Sequence, residues 1–219
     1  RLESIGTLAG GIAHDLNNVL APITMAIELL RTDITDPRDL ELLDTMADSA
    51  RRGAGIVRQV LQFARGLDGR QVEVQPGLLI QEIETLLRDM FPKNVEILTR
   101  VAPDLWNVLG DATQLHQVLI NLCINARDAM PGGGRITITA ENIELGVEDT
   151  ATRAGSRPGP QVAVTVEDTG TGIAPELMCR LFDPFFTTKA TGKGTGLGLP
   201  TTLAIVKRHG GFVEVESEP

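Results

Sequence analysis

Asp168-Thr-Gly-Thr-Gly172, followed twenty residues on by Gly192-Lys-Gly-Thr-Gly-Leu-Gly-Leu199, decides the reading of this chain. Glycines on alternate positions build neither a packed strand nor a stable helix, because each loses more conformational freedom on ordering than any other residue. They suit a segment whose backbone N–H groups approach something bulky and negative, and a phosphate chain is the usual guest. A flexible linker is the bland alternative, and the aspartate-led run upstream argues against it. Neither common nucleotide loop is present. A Walker A loop fails because Gly192-Lys193 is followed by Gly194 and Thr187 stands where the first glycine belongs. The dinucleotide fingerprint fails at Leu199, the place of its last glycine.

Composition narrows the partners. The 219 residues give room for one ample domain or two small ones. A net charge of −9 argues against nucleic acid, whose binders carry a basic stripe, and against anionic membrane surfaces. Cys123 and Cys179 lack metal-ligand spacing and read as reduced thiols of a cytoplasmic protein. No run approaches eighteen apolar residues, so no direct membrane contact is expected. The sequence starts at Arg1 inside an amphipathic pattern and reads as a fragment, with any sensor or membrane tether outside it.

Two unlike parts follow, for an α+β chain overall. Residues 1–66 read as a helical hairpin. The apolar or small positions run Ile5, Leu8, Ile12, Leu16, Val19, Ile23, Ala26 and Leu30, then Leu40, Leu43, Ala47, Ala50, Ala54, Val57, Leu61 and Ala64. Steps of three and four give a period of about 3.5, the seam of a helical bundle. Asp36 is the expected N-cap of the second helix, with Pro37 at its first position. Two helices bury too little to stand alone, so a second copy is expected to complete a four-helix bundle.

A polar link, 67–75, leads into a mixed domain, 76–219. Its expected elements are a helix near 77–91, strands near 94–101 and 105–109, and a long helix from its cap Asp111 to Met130. Strands at 135–140 and 161–166 flank a polar loop at 146–160. A helix from Leu199 to about His209 and a last strand at 212–216 complete an α/β sandwich, with helices on one face of a mixed sheet.

Chemistry lies on both parts. His14 points away from the seam, about 160° round the axis from Ile12 and Leu16, with Asp15 beside it and Asn18 one turn on. A neutral imidazole whose other nitrogen is held by a carboxylate is a nucleophile. A surface His beside an Asp usually carries no function; here Gly10, Gly11 and Pro22 weaken the helix around it. On the long helix Asn121 and Asn125, at i and i+4, share a face, and an Asn carbonyl suits Mg²⁺. Asp168 is either an Asx-turn residue or an acceptor for an exocyclic amine such as that of adenine. Lys189 is either solvated or a phosphate contact. His116 and His209 read as structural.

These motifs together resemble the catalytic core of a bacterial two-component sensor histidine kinase. Gly10 to Asn18 is similar to the phosphoacceptor box and Gln117 to Met130 to the N box. Asp168, Gly170 and Gly172 match the G1 box, Phe182 to Phe186 the F box, and Gly192 to Leu199 the G2 box of the ATP lid. The resemblance implies a dimerising phosphotransfer hairpin and a GHKL-type ATP-binding domain. It implies transfer of the ATP γ-phosphoryl to His14, with Asp15 as base or orienting group and Asn125 as ligand of Mg²⁺. Nucleotide contacts would come from Asn121, Asn125, Asp168, Gly170, Gly172, Lys189, Gly194, Thr195, Gly196, Leu197, Gly198 and Leu199. The receiver domain of a response regulator would take the group, and Asn18 would orient water for the reverse, phosphatase role. The family's sheet ordinarily closes with one more strand, which the sequence does not reach. The N box looks most like those of nitrogen-regulation and hybrid kinases. The alternatives are an ATP hydrolase of the same superfamily and a nucleotide-binding pseudokinase scaffold. Such hydrolases carry Glu as base four residues before the metal Asn, where this chain has Asn121.

Overall fold

The structure, a computed structural model, describes residues 71–152, 155–189 and 194–218. Within the first part it describes 19, 22, 23, 25–27, 29–32, 34, 36, 38–47, 49, 50 and 53. The chain divides into two compact units between Asp68 and Gly69.

In the first unit every described residue between 19 and 32 is helical (α1), as is every one between 38 and 53 (α2). Asp36 caps α2: its Oδ1 accepts the Arg38 N–H at 2.8 Å, and its carbonyl accepts that of Leu40 at 3.0 Å. Pro37 lies outside the described residues. The helices meet through Ile27, Leu43, Ala47 and Ala50, with Ile34 packed against them. Of the expected seam, Leu43, Ala47 and Ala50 are buried on α2, whereas on α1 Ile27 rather than Ala26 faces the partner helix; Ile5, Leu8, Ile12, Leu16, Ala54, Val57, Leu61 and Ala64 lie outside the described residues. Val19, Ile23 and Leu30 remain 59, 42 and 50% exposed. One residue is about 100° of helix, so these three form a second stripe beside the buried one.

The second unit runs β1 (Val72–Val74), α3 (Pro76–Met90), β2 (Val95–Val101), β3 (Val108–Gly110), α4 (Ala112–Asp128) and β4 (Gly134–Leu145). It continues through α5 (Val147–Thr152), β5 (Gly159–Asp168), α6 (Pro175–Met178) and α7 (Gly198–Arg208). One sheet has the order β2-β4-β5, with β2 parallel and β5 antiparallel to β4. Ile136, Ile138 and Ala140 of β4 alternate onto the face covered by α3 and α4. There they meet Ile80, Ile83 and Leu87 of α3 and Leu119, Cys123 and Ala126 of α4.

Four expectations need correction. The stretch read as a link carries β1, which pairs antiparallel with β3. The strand read at 105–109 starts only at Val108, because a turn from Ala102 to Leu105 and the bond from Trp106 N–H to Asn142 Oδ1 occupy its first residues. The loop at 146–160 includes the short helix α5. Residues 211–218 form no strand despite their alternating pattern. A strand is made by its ladder, and the described pairing of β5 is to β4 alone.

Candidate active site

Helix α4 starts where Asp111 Oδ1 accepts the Gln114 N–H at 3.0 Å. From that start the helical repeat places Asn121, Asn125 and Asp128 along one side. The glycine-rich turns close on this side from two directions.

Strand β5 delivers Asp168, whose Oδ1 accepts the Gly170 N–H at 2.9 Å. The aspartate therefore does form an Asx turn, and its exposed carboxylate keeps a second oxygen. A Cβ at Gly170 would lie 2.7 Å from Ala129 Cβ, and the Thr171 N–H reaches the Ala129 carbonyl at 3.1 Å. Gly172 takes φ +68°. Only glycine lets this turn pass so close to the end of α4.

From the other side comes the start of α7. Asn121 Nδ2 donates to the Gly198 carbonyl at 3.4 Å, and a Cβ on Gly198 would lie 3.8 Å from Asn125 Nδ2. No side chain caps α7, so its first N–H groups stay available to an anion. Leu197 is buried, and its carbonyl accepts both the N–H and the hydroxyl of Thr201; Thr195 and Leu199 are half-buried. Phe185 has φ +68° and donates its N–H to the Gly196 carbonyl at 3.0 Å. A Cβ on Gly196 would overlap the Phe185 backbone.

Lys189 crosses to α4. Its Nζ lies 3.1 Å from Asn125 Oδ1 and 2.6 Å from Asp128 Oδ2, while Gly194 passes close over its stem. Arg127 holds the other Asp128 oxygen at 2.6 Å and stacks over Phe91. Burial alone would raise the Asp128 carboxyl, but hydrogen bonds from Lys189 and Arg127 outweigh it and hold it below the usual carboxylate range. Asn125 Oδ1 already faces a cation, the ammonium, so this donor set fits Mg²⁺. The described residues hold no cluster of three His, Cys, Asp or Glu side chains of the kind that binds a metal by protein ligands alone.

The structure thus gathers Asn121, Asn125, Lys189 and Gly194 to Gly198, with Asp168, Gly170 and Gly172 at the far end of α4. His14, Asp15, Asn18 and Lys193 lie outside the described residues. Asp128 was missed by sequence reasoning, although its place three residues after Asn125 puts it on the same side of the helix.

Two family models divide the chain. Residues 4–69 match the His Kinase A (phospho-acceptor) domain, and residues 110–219 match the histidine kinase-, DNA gyrase B- and HSP90-like ATPase. The chain belongs to the histidine kinases. Along its whole length this histidine kinase core is 41% identical to the sensor kinase CckA of Brucella abortus (strain 2308), of which it spans 23%. Over 99% of its length it is 31% identical to the sensory histidine kinase/phosphatase NtrB of Azospirillum brasilense, of which it spans 54%. The chain therefore spans well under two thirds of these curated relatives. Among solved structures, histidine kinase ThkA in complex with the response regulator protein TrrA has a TM-score of 0.62 at 27% identity. That match takes in 96% of this histidine kinase core and 57% of the ThkA chain. Full-length ShkA in complex with AMPPNP shares the fold, with a TM-score of 0.70 over 91% of this chain and 41% of its own.

Proposed function

We propose that this chain binds ATP with Mg²⁺, transfers the γ-phosphoryl group to a ring nitrogen of His14, and passes it to an aspartate of a response-regulator receiver domain. The observation that carries the reading is the meeting of Asn121 and Asn125 with the uncapped start of α7 at Gly198. Amide oxygens and uncapped N–H donors side by side are the groups that would hold a nucleotide phosphate chain with its metal, and this supports the reading.

Within that space Asn125 Oδ1 would hold Mg²⁺, and Asp168 would take the adenine amine through the oxygen that Gly170 leaves free. Gly170 and Gly172 let the turn approach the base. The N–H groups of Gly198 and Leu199 would hold phosphate oxygens. The bound cation would draw off charge that builds on those oxygens. Asp15 would orient the His14 imidazole so that one nitrogen stays free to attack, and Asn18 would orient water in the reverse reaction.

We assign residues 1–66 to phosphotransfer and homodimerisation, and 76–219, together with β1 from the stretch that joins the two, to nucleotide binding. The exposed stripe of Val19, Ile23 and Leu30 supports the dimer, since a bundle of four helices would cover it. The ThkA structure, solved with TrrA, supports a response regulator as partner. Among the described residues no helix is long and apolar enough to cross a membrane. The cytoplasm is the compartment that fits ATP and a receiver domain.

The test is phosphate chemistry. Incubation with labelled ATP and Mg²⁺ should place acid-labile, alkali-stable phosphate on the wild type and none on His14→Ala. A wild type that stays unlabelled, or a variant that labels equally, sinks the reading.

A further inference from the structure

Lys189 and Asp128 stand 61 residues apart in sequence, yet their side chains meet at 2.6 Å, and the same ammonium reaches Asn125 Oδ1 at 3.1 Å. One nitrogen therefore binds two oxygens presented by one side of α4. An Asn carbonyl and a carboxylate oxygen converging on a positive charge are the donors a hard divalent cation takes. The pair is not sealed. Asp128 and Lys189 line a cleft of about 790 Å³ with Asn94, Arg127, Met130 and Pro131, open enough for a cation that keeps several waters. Arg127 holds Asp128 Oδ1, so the carboxylate keeps its orientation whatever happens to Oδ2. Gly194 is placed so that any side chain there would press on Thr187 Oγ1 and on Lys189 Cβ and Cδ. The path of the lysine stem to α4 is thus built into the glycine run.

We infer that Asp128 belongs with Asn125 to the cation site, and that Lys189 is the resident cation which the metal of the nucleotide displaces. The inference rests on the nucleotide-binding reading above. Without metal, Lys189 neutralises Asp128 and lends its charge to the phosphates. With metal, the ammonium leaves Asn125 and Asp128, and both oxygens turn to the divalent ion directly or through its waters. A bare carboxylate beside the phosphates would repel them. The exchange keeps a cation between the two at every stage.

The consequence is measurable in binding rather than turnover. The quantity is the ratio of ADP affinity with Mg²⁺ to ADP affinity in chelator, by calorimetry on the whole chain. Asp128→Asn should lower that ratio by about tenfold, the usual weight of a group that orients or holds a metal. Lys189→Met should raise it by about fivefold, because the metal loses its competitor and the metal-free nucleotide loses its counter-charge. A ratio that Asp128→Asn leaves unchanged or raises overturns the inference, as does one that Lys189→Met leaves unchanged or lowers. Wild type that binds ADP while the variants behave in those ways refutes this inference alone. Wild type that binds no nucleotide under either condition refutes it together with the reading on which it rests.

Discussion

His209 Nε2 accepts the backbone N–H of Asp111 at 2.9 Å, tying the end of α7 to the cap of α4. Since Nε2 accepts, Nδ1 carries the proton and donates it to the Ile205 carbonyl at 2.8 Å. The imidazole is a strut between the two helices that enclose the candidate site. A Cβ on Gly110 would lie 2.6 Å from its Cδ2, so that glycine makes room for the ring. His209→Ala leaves the Asp111 N–H without its acceptor and should cost about 1–3 kcal/mol in urea unfolding. Gly110→Ala, which pushes the ring aside, should lose a similar amount, and the two losses should fall short of additive.

Gly196 should be the least replaceable glycine of the second run. Its φ of +63° suits a residue without a side chain, and a Cβ would overlap the Phe185 backbone. Gly196→Ala should cost about 1–3 kcal/mol from the backbone conformation alone and should abolish detectable ADP binding. Gly132→Ala is the control: a Cβ there meets nothing within 4 Å. Its melting temperature should match or exceed that of the wild type.

Burial pushes the Cys123 thiol up to about 12, whereas Cys179 is exposed at the end of α6. The thiolate is the reactive form, so iodoacetamide at about pH 8 should modify Cys179 and spare Cys123 until the chain unfolds. Mass spectrometry of native and urea-treated protein should count one and two adducts. Native labelling of both would mean that α4 opens readily from the sheet.

Much of this arrangement was legible in the sequence because it is local. Asp111 could be read as a cap because its acceptor and the Gln114 N–H lie three residues apart. Asn121 and Asn125 could be placed on one side by helical repeat. What was not legible depends on distant partners. Val72–Val74 is too short to show an alternating pattern and becomes a strand only through β3. The opposite failure is 212–216, which alternates well but has no described ladder partner. Ile27 displaced Ala26 from the hairpin contact because period and phase are separate properties, and steps of three and four define only the period. Asp128 and Lys189 found each other across 61 residues, beyond the reach of any local rule.

Glu84 gives the fold an acid limb. Hydrogen bonds from Thr99 Oγ1 at 2.5 Å and from Arg88 hold its carboxyl below the ordinary range, against a smaller opposing effect of burial. A carboxyl lowered in the folded state stabilises fully above its unfolded value and loses that contribution as pH falls through its folded value. Urea midpoints should therefore drop as the pH falls below the ordinary glutamate value of about 4.3. Glu84→Gln should lower the midpoint at neutral pH and flatten this descent. An unchanged slope would assign the acid limb to other carboxylates.

The hairpin offers the sharpest contrast between two neighbouring stripes of one helix. Ile27 is 2% exposed and packs on Leu43, Ala47 and Ala50, whereas Ile23 and Leu30 are 42 and 50% exposed. If a second copy covers the outer stripe, Ile23→Asp with Leu30→Asp should convert a dimer into a monomer in sedimentation equilibrium. Each charge would otherwise be buried unpaired in the bundle. Ile27→Ala should act differently: it opens a cavity inside each hairpin and should cost about 2–5 kcal/mol. Because a bundle joins folding to association, that loss should appear as a lower melting temperature than the wild type at the same protein concentration. A double aspartate variant that sediments as the wild type does would remove the outer stripe from the dimer interface.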